Sequence, residues 1–285
     1  MTRSQNLPPV SIITPVYNGS AYIEELIQSV LAQDYPNLEH IIIDDGSKDD
    51  GKTVSILKKY PHLNWWTREN KGQYATMNEG LRAAKGDYVC FICADDLLNK
   101  NAVSSAMNWM QQHPDYDGVY GLTAYITEDG KPYPYEFPFR KAPIKYYAYF
   151  SQIAHCSLYI SKKSLIDRNL FFDPEVKFVA DYDWILRMIH QDLRIGFVDM
   201  SLSTVRLHQN QTSAVNRLQM VDGQKAIAAR NGFGGLRYHF FMFFVHWANF
   251  SNQIKQGYRE DRLQGALKVV RYWMVDKILA RLRRK

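Results

Sequence analysis

The first part of the chain alternates short apolar runs with amphipathic segments. The run VSIIT at residues 10–14 is apolar and rich in β-branched residues, whereas apolar side chains recur at helical spacing from Ile23 to Leu31. These two patterns predict a strand followed by a helix. The same alternation predicts strands at His40–Asp44, Leu63–Thr67 and Tyr88–Cys93, and helices near Thr53–Tyr60, Ala75–Ala84 and Ala102–Gln112.

Strands that alternate with helices at such short separations predict βαβ units. The expected fold is therefore α/β, with a mainly parallel, Rossmann-like sheet flanked by helices. Ligands of such sheets bind beyond the carboxyl ends of the strands. Polar residues follow four of the predicted strands, at Thr14–Asn18, Asp44–Ser47, Arg68–Gly72 and Asp95–Asp96. We expect these loops to converge on one crevice.

The regular alternation is lost after Gly118. The proline- and aromatic-rich stretch KPYPYEFPFRKAP at 131–143 predicts a loop over the crevice. Later segments predict strands at SLYIS (157–161) and RIGFVDM (194–200), and a helix at DYDWILRMIH (181–190). From Asn216 onward the pattern is helical. We therefore predict an α/β domain at residues 1–215 and a helical C-terminal extension at 216–285.

Composition and charge narrow the possible functions. A chain of 285 residues that is 46% hydrophobic can bury a large core. Ten Lys or Arg residues lie between Gln253 and Lys285 against three acids, so the other 252 residues carry about −1 of the total charge of +6. Such a distribution argues against nucleic-acid binding. The start, MTRSQNLPP, predicts neither a signal peptide nor an early membrane span, so we expect a cytoplasmic protein.

The chain has three cysteines, Cys90, Cys93 and Cys156. This odd number favours reduced thiols over a disulfide framework. The CxxC spacing of the first two raises the possibility of zinc, but no second CxxC or matching histidine pair accompanies it. Two ordinary thiols are the better interpretation.

Six segments, in order along the chain, resemble the motifs of glycosyltransferase family 2. They are TPVYN (14–18), DDGS (44–47), NKGQYATMNEG (70–80), FICADD (91–96), ADYDWILRM (180–188) and VRLHQNQTSA (205–214). The resemblance covers roughly residues 8–215. It implies a GT-A fold and an inverting enzyme that moves a sugar from a nucleotide-sugar donor to a hydroxyl of an acceptor, in surface polysaccharide or glycolipid synthesis.

The resemblance also implies a divalent metal, Mn²⁺ or Mg²⁺, on the donor diphosphate. Asp95 would be its carboxylate ligand and His208 would complete metal or diphosphate binding. The family usually has Asp-x-Asp here, whereas this chain has Cys93 in place of the first acid. That departure leaves the contact to ribose or metal from this position in doubt. A lone histidine is more often a core or surface residue, and only the motif around His208 favours the metal.

Asp181 matches the general base of the family, which removes the acceptor's hydroxyl proton. Ala180 replaces the Glu that commonly precedes this base. Asp183 is a rival base, and 181 and 183 do not share a helix face. The structural alternative is that Asp181 is the N-cap of the following helix.

By the same resemblance, Asp45 hydrogen-bonds the base and ribose of the nucleotide. A carboxylate can accept from a uracil N–H, which favours uridine over cytidine and leaves guanosine and thymidine as alternatives. Thr14 and Tyr17 would complete the pocket, with the Tyr17 ring stacked on the base. The residues expected near the diphosphate are Arg68, Asn70 and Gly72. The competing interpretations are turn-forming acids ahead of Gly46 and an ordinary surface loop at 68–72.

The C-terminal part contains an aromatic segment, residues 236–254, that polar side chains interrupt too often for a membrane span. Beyond it, an apolar stripe from Leu263 to Leu282 is flanked by basic residues. This pattern predicts peripheral contact through 236–285 with an anionic membrane, at the inner face of the plasma membrane, and hence a lipid-linked or membrane-proximal glycan acceptor. A helix packed on the catalytic domain is the equal alternative.

A non-catalytic nucleotide-sugar-binding module is the rival functional class, because Cys93 and Ala180 stand where two acids are expected. A dinucleotide-dependent dehydrogenase fits less well, since no GxGxxG follows the first strand.

Overall fold

The computed structural model describes residues 7–133, 143–236, 240, 243, 247, 250 and 251. The chain divides into two compact units. The first comprises Met1–Tyr133 and Ile153–Ile227, and the second comprises Pro134–Gln152 and Ala228–Lys285. The sequence-based boundary after residue 215 differs from this division and stays a prediction.

An eight-stranded sheet forms the centre of the first unit. Its strands are β1 (Val10–Val16), β2 (Leu38–Asp44), β3 (Asn64–Thr67), β4 (Tyr88–Phe91), β5 (Leu97–Leu98), β6 (Gly118–Thr127), β7 (Leu158–Ser161) and β8 (Ile195–Leu207). They lie in the order β3-β2-β1-β4-β7-β6-β8-β5. β1 pairs in parallel with β2 and β4, β2 with β3, and β6 with β8. β7 is antiparallel to β4 and β6, and β5 is antiparallel to β8.

Helices connect these strands. They are α1 (Ile23–Leu31), α2 (Lys52–Leu57), α3 (Gln73–Ala83), α4 (Ala102–Gln112), α5 (Tyr147–Phe150), α6 (Lys162–Asp167), α7 (Ala180–His190), α8 (Thr212–Val215) and α9 (Arg217–Arg230). Short 3-10 helices occur at Ile144–Tyr146 and His155–Ser157. Within the described part of the chain, none of the helices is long and apolar enough to cross a membrane.

The core lies on the two faces of the central strands. Every residue of β1 is buried, as expected for a strand with helices on both sides. α1 buries Ile23, Leu26, Ile27 and Val30 against it. α3 approaches β1 closely at Gly80, which has no side chain. A Cβ at this position would lie only 2.3 Å from Cγ2 of Ile13. A side chain at position 80 would force the helix away from the strand.

The predicted elements of the first half are confirmed, with small differences at their ends. Beyond it the sequence prediction was incomplete. β6 begins at Gly118, where the alternation was predicted to end, and β8 runs to Leu207 rather than to residue 200. β6 is only partly buried from Leu122 onward, and glycine and threonine residues interrupt the apolar side chains along the strand. Its register with β8 also shifts around Leu122, and sequence periodicity does not reveal such an irregularity.

Two predicted segments lie largely outside the described residues. The loop at 131–143 is described only at 131–133 and 143, and the basic amphipathic stripe from Leu263 to Leu282 is not described. Both stay predictions.

A buried histidine in β2 makes stability depend on pH. Burial, with a smaller effect of His62, lowers the pKa of His40 to about 3 from its usual 6.5, and Nε2 of His40 lies 3.0 Å from Oγ1 of Thr14. The unfolded chain therefore binds this proton between pH 6.5 and 3, whereas the folded chain does not. We expect the free energy of unfolding to fall on acidification through this range by at most about 1.4 kcal/mol per pH unit from this group.

Urea denaturation of the wild type and of His40→Gln at several pH values between 7 and 4 measures this effect. The variant is expected to lose less stability than the wild type as the pH falls. A difference between the two proteins that stays constant with pH would contradict the assignment.

Candidate functional site

Asp45 follows β2 directly and holds the loop after β3. Its carboxylate accepts hydrogen bonds from the backbone N–H of Lys71, at 2.8 Å, and of Gly72, at 2.9 Å, and it forms an ion pair with Arg68. Its own N–H donates to the carbonyl of Val16 at the end of β1. Through its carboxylate and its backbone, Asp45 thus links the ends of three neighbouring strands, as the sheet-edge argument predicted.

The neighbouring acid, Asp44, has a local role. Its carboxylate accepts from the hydroxyl of Ser47 at 2.5 Å and from that of Thr67 at 2.6 Å. The former contact is the turn-forming bond considered for this pair of acids. The latter ties β2 to β3, so Asp44 stabilises the frame on which Asp45 is placed.

Arg68 extends this frame towards α3. Its guanidinium donates to Glu79 at 2.9 Å and to Thr76 at 2.8 Å, besides its ion pair with Asp45. Burial lowers the pKa of Arg68, but hydrogen bonds to Asp45 and Glu79 outweigh this effect and raise it. Glu79 also accepts from the indole N–H of Trp66. The group at 68 is therefore a fixed positive charge beside Asp45.

Replacing Asp45 with Asn is expected to lower the free energy of unfolding by about 3 kcal/mol, because it leaves the largely buried Arg68 without its closest charged partner. Chemical denaturation measures the change. Glu24→Gln is the matched control: it removes an exposed pair with Lys59 at 3.5 Å, worth at most about 1 kcal/mol. Equal losses in the two variants would contradict the structural role of Asp45.

The other residues predicted for the nucleotide pocket lie in β1, just after it, or in the loop after β3. Thr14 lies within β1 and is fully buried, whereas Tyr17 follows that strand with 47% of its surface exposed. Asn70 is exposed, and its side-chain oxygen accepts from the N–H of Gly72. Gly72 has φ +86°, which favours glycine, and it precedes α3. Their contacts with a nucleotide stay predictions.

Asp95 and His208 are brought together from distant parts of the chain. Asp95 follows β4 and His208 follows β8, and Oδ2 of Asp95 lies 2.9 Å from Nε2 of His208. The centre of the Tyr22 ring lies 5.1 Å from that of the histidine ring, so the two rings pack against each other. The two residues that the resemblance assigned to the metal are therefore adjacent in the structure. A carboxylate oxygen next to an imidazole nitrogen is a donor set suited to a divalent cation.

Two buried ionisable residues near this pair, Asp96 and Arg206, were not assigned a role from the sequence. Burial, with a contribution from the charge of Asp95, raises the pKa of Asp96 well above its usual range. Arg206 is almost fully buried, donates to Glu25 at 2.6 Å and lies with its guanidinium 4.9 Å from the Tyr22 ring centre. Its backbone N–H donates to Asp96. These contacts join the loop after β4 to β8 and so fix the spacing of Asp95 and His208.

Asp181 lies in the first turn of α7, one residue after its start. Val179 occupies the N-cap position and no side chain caps this helix, so the interpretation of Asp181 as the N-cap was wrong. Oδ2 of Asp181 lies 3.3 Å from Nδ1 of His155, and Oδ1 lies 3.5 Å from the hydroxyl of Tyr74. Asp183 instead accepts from Arg187 at 2.7 Å. The two acids therefore have different surroundings.

Cys93 connects the two halves of the site. Its Sγ lies 3.5 Å from Nε2 of His155 and accepts from the side-chain amide of Gln73 at 3.3 Å. Sγ also lies within 4.8 Å of a carboxylate oxygen of both Asp95 and Asp96. Burial, followed by the charges of these two acids, raises the pKa of Cys93, which favours the neutral thiol. Cys93 is free, as are Cys90 and Cys156, which confirms the prediction of reduced thiols.

The sequence did not identify His155 or Tyr74. His155 lies in a 3-10 turn before β7, and Tyr74 is the second residue of α3. Neither residue has a spacing that links it to Asp181. In the sequence, Tyr74 is marked only by its place in NKGQYATMNEG, one of the segments that resemble a family motif.

Comparisons with known proteins identify the family of the chain. Residues 11–172 match the family described as glycosyl transferase family 2, more than half of the chain. An uncharacterized glycosyltransferase of Rickettsia felis is 31% identical over 214 residues, which cover 72% of this chain and 35% of that protein. The putative teichuronic acid biosynthesis glycosyltransferase TuaG of Bacillus subtilis is 35% identical over 132 residues, which cover 44% of this chain and 50% of that protein. The chain thus spans about a third to a half of the length of these two relatives.

Solved structures show the same fold. S. aureus TarS 1-349 in complex with UDP-GlcNAc aligns with a TM-score of 0.64 at 20% identity, over 92% of this chain and 79% of that one. The mannosyltransferase PcManGT from Pyrobaculum calidifontis, in complex with GDP-Man and Mn²⁺, aligns with a TM-score of 0.63 at 19% identity, over 93% of this chain and 79% of that one. The predicted GT-A type of α/β fold is confirmed. With its sequence match over residues 11–172, the chain belongs to glycosyl transferase family 2.

Proposed function

We propose that this chain is a metal-dependent, inverting glycosyltransferase that moves a sugar from a nucleotide-sugar donor to a hydroxyl of a glycan or lipid-linked acceptor. One observation carries the proposal. The Asp95–His208 pair and the Asp181 carboxylate belong to one continuous cluster, joined through Cys93 and His155. A cation-binding pair beside a positioned carboxylate base is the combination that such a transfer needs.

The donor set fits a divalent cation, either Mn²⁺ or Mg²⁺. Asp95 and His208 would hold it, and the remaining positions would be filled by diphosphate oxygens and water. When bound, the cation stabilises the negative charge that develops on the departing diphosphate. Support for a metal at such a site comes from PcManGT, whose complex contains Mn²⁺ with GDP-Man. The buried bond from the backbone of Arg206 to Asp96 keeps Asp95 in place during this binding.

The donor nucleotide is proposed to lie at Asp45, and uridine is the favoured base. Asp45 is held in place by Arg68 and two backbone N–H groups, which leaves about one of the four accepting positions of its carboxylate for the nucleotide. Tyr17, which follows β1, is exposed and is able to stack on a base. TarS, bound to UDP-GlcNAc, supports a uridine donor, whereas PcManGT binds GDP-Man. A guanosine donor is therefore the main competitor.

Asp181 is proposed to act as the general base. The acceptor oxygen forms a bond to the anomeric carbon as the bond from that carbon to the diphosphate oxygen breaks, and its electron pair leaves with the diphosphate. The acceptor proton passes to a carboxylate oxygen of Asp181. Because one displacement occurs from the face opposite the leaving group, the anomeric configuration inverts. Asp183 is less suited to this role, since Arg187 holds its carboxylate.

The class of acceptor rests on the relatives. TuaG is named for teichuronic acid biosynthesis, and another relative, GgaB of Bacillus subtilis, is named as a minor teichoic acid biosynthesis protein. These names support a surface polysaccharide or its lipid-linked precursor as the product. Work on such an acceptor would place the enzyme at the inner face of the plasma membrane, with contact through 236–285.

Thermal unfolding with UDP, GDP, dTDP and CMP, each with and without Mn²⁺, tests the donor site. A nucleotide present at about a hundred times its dissociation constant adds about 2.7 kcal/mol of stability, which is readily measured. We expect a shift with UDP that grows when Mn²⁺ is added. The absence of a shift with all four nucleotides would contradict the proposed donor site.

A further inference from the structure

The carboxylate of Asp181 is held on both of its oxygens by residues from two other elements. His155, from the turn before β7, lies 3.3 Å from Oδ2, and Tyr74, from α3, lies 3.5 Å from Oδ1. The residue before this acid is Ala180, which has no polar side-chain atom and is fully buried. The direction of the carboxylate is therefore set by the turn and by α3.

The partners of His155 determine which ring nitrogen carries its hydrogen. An ionised carboxylate only accepts hydrogen bonds, so Nδ1 must carry a hydrogen to bond to Asp181. In the neutral ring, Nε2 is then an acceptor, and the group 3.5 Å from it is the thiol of Cys93, which can donate. The amide of Gln73 donates to the same sulfur. A chain of hydrogen bonds thus runs from Gln73 through Cys93 and His155 to Asp181.

We propose that His155 is a positioning residue, which orients the Asp181 carboxylate through Nδ1–H and is itself fixed by the Cys93 thiol at Nε2. The inference rests on the proposed function, because it assigns His155 a task only if Asp181 is the base. It also assigns a role to Cys93, which is to fix the ring of His155. A thiol at the position of the family's first acid supplies a hydrogen-bond donor that an ionised Asp could not.

The arrangement leaves the base free to react. A carboxylate has about four positions for accepting hydrogen bonds, and His155 and Tyr74 occupy two of them. A third of the Asp181 side chain is exposed to solvent. The remaining lone pairs can therefore accept a proton from an acceptor hydroxyl while the carboxylate keeps its direction.

Substitutions that retain one or the other nitrogen of His155 separate the two contacts. Asn places an N–H near the position of Nδ1, whereas Gln reaches towards that of Nε2. We expect His155→Gln to lower kcat for release of nucleoside diphosphate from a nucleotide-sugar by about 10-fold to 100-fold, with donor KM changed by less than about 2-fold. His155→Asn should retain more of the rate. His62→Asn, at an exposed histidine, is the control and should match the wild type.

The donors used are UDP-glucose, UDP-N-acetylglucosamine and GDP-mannose, with Mn²⁺ and with water as the acceptor. Unchanged kcat in His155→Gln, or equal losses in the Asn and Gln variants, would overturn the proposal. So would a fall in melting temperature that accounts for the loss of rate, because that result marks a purely structural role.

A second readout does not depend on turnover. The ¹⁵N chemical shifts of the His155 imidazole in the full chain are expected to show a hydrogen on Nδ1, and Asp181→Asn should change that signal. If the signal is present but the wild type releases no more nucleotide than Asp181→Asn, the proposed function fails while the contact stands. If the hydrogen is on Nε2 alone, the positioning role is wrong whatever the activity.

Cys93 provides an independent check on the second contact. Cys93→Ser retains a donor at this position, whereas Cys93→Ala removes it. The Ser variant is expected to keep kcat within about 3-fold of the wild type and the Ala variant to lose about 10-fold. Equal rates in the Ser and Ala variants would show that the thiol does not fix His155.

Discussion

Asp181→Asn is expected to lower kcat for nucleotide release by about 10²-fold to 10⁴-fold, the usual contribution of a general base. The substitution preserves the size of the side chain and removes only its ability to take a proton. Because Asp181 is not among the residues proposed to hold the nucleotide or the metal, donor binding should remain. Initial rates measured over a range of donor concentrations, together with the nucleotide-induced shift in melting temperature, determine both quantities.

Asp183→Asn is the matched comparison. It is an acid two residues further along the same helix, and its carboxylate is bonded to Arg187 at 2.7 Å. We expect this variant to keep kcat within a few-fold of the wild type and to lose a small amount of stability. Loss of turnover in Asp183→Asn with normal turnover in Asp181→Asn would reverse the assignment of the base.

Asp95→Ala is expected to remove the metal-dependent part of nucleotide binding. His208 then lacks the carboxylate 2.9 Å away, and a single imidazole beside the diphosphate is a weak site for Mn²⁺ or Mg²⁺. In the wild type, saturating nucleotide with Mn²⁺ should add about 2.7 kcal/mol at a hundredfold excess over the dissociation constant. In the variant, addition of Mn²⁺ should add little to the shift caused by nucleotide alone.

Asp167→Asn serves as the control for that experiment, because this acid is exposed and pairs only with Lys163 in the same helix among the described contacts. It should retain the full metal-dependent shift. A full shift in Asp95→Ala as well would place the cation elsewhere and contradict the role of this carboxylate.

Most of the first half of the fold was predictable because β1, β2 and β4 are central strands and largely buried. β1 and β2 read as apolar runs, and the amphipathic stripe of α1 identified its buried face. β6 and β8 were harder, since both are partly exposed along their length and their pairing includes a register shift. Local periodicity does not encode the partner of such a strand.

The candidate site divides in the same way. Asp45 and Asp95 follow apolar strands, so topology alone predicted that they would lie at one edge. Asp181 and His208 depended on resemblance to family motifs, and the structure added the contacts that distinguish Asp181 from Asp183. His155 was not predicted, because its contact with the Asp181 carboxylate arises only when a short turn packs against α7.

Cys93 stands where the family usually has an acid. From the sequence, this replacement supported a non-catalytic nucleotide-sugar-binding module as the rival to an enzyme. The structure gives the thiol four polar neighbours, namely His155, Gln73, Asp95 and Asp96. This environment supports a neutral side chain with a positioning role, so the substitution does not by itself imply loss of activity.

The central claim is that the chain catalyses metal-dependent cleavage of a nucleotide-sugar. The most direct test is the rate at which the purified chain releases nucleoside diphosphate from the donor whose nucleotide stabilises it, with Mn²⁺ and after chelation. We expect release that requires the metal and that exceeds the rate of Asp181→Asn by about a hundredfold or more. Equal, slow release by the wild type and the variant, with binding intact, would contradict catalysis and identify a nucleotide-sugar-binding module.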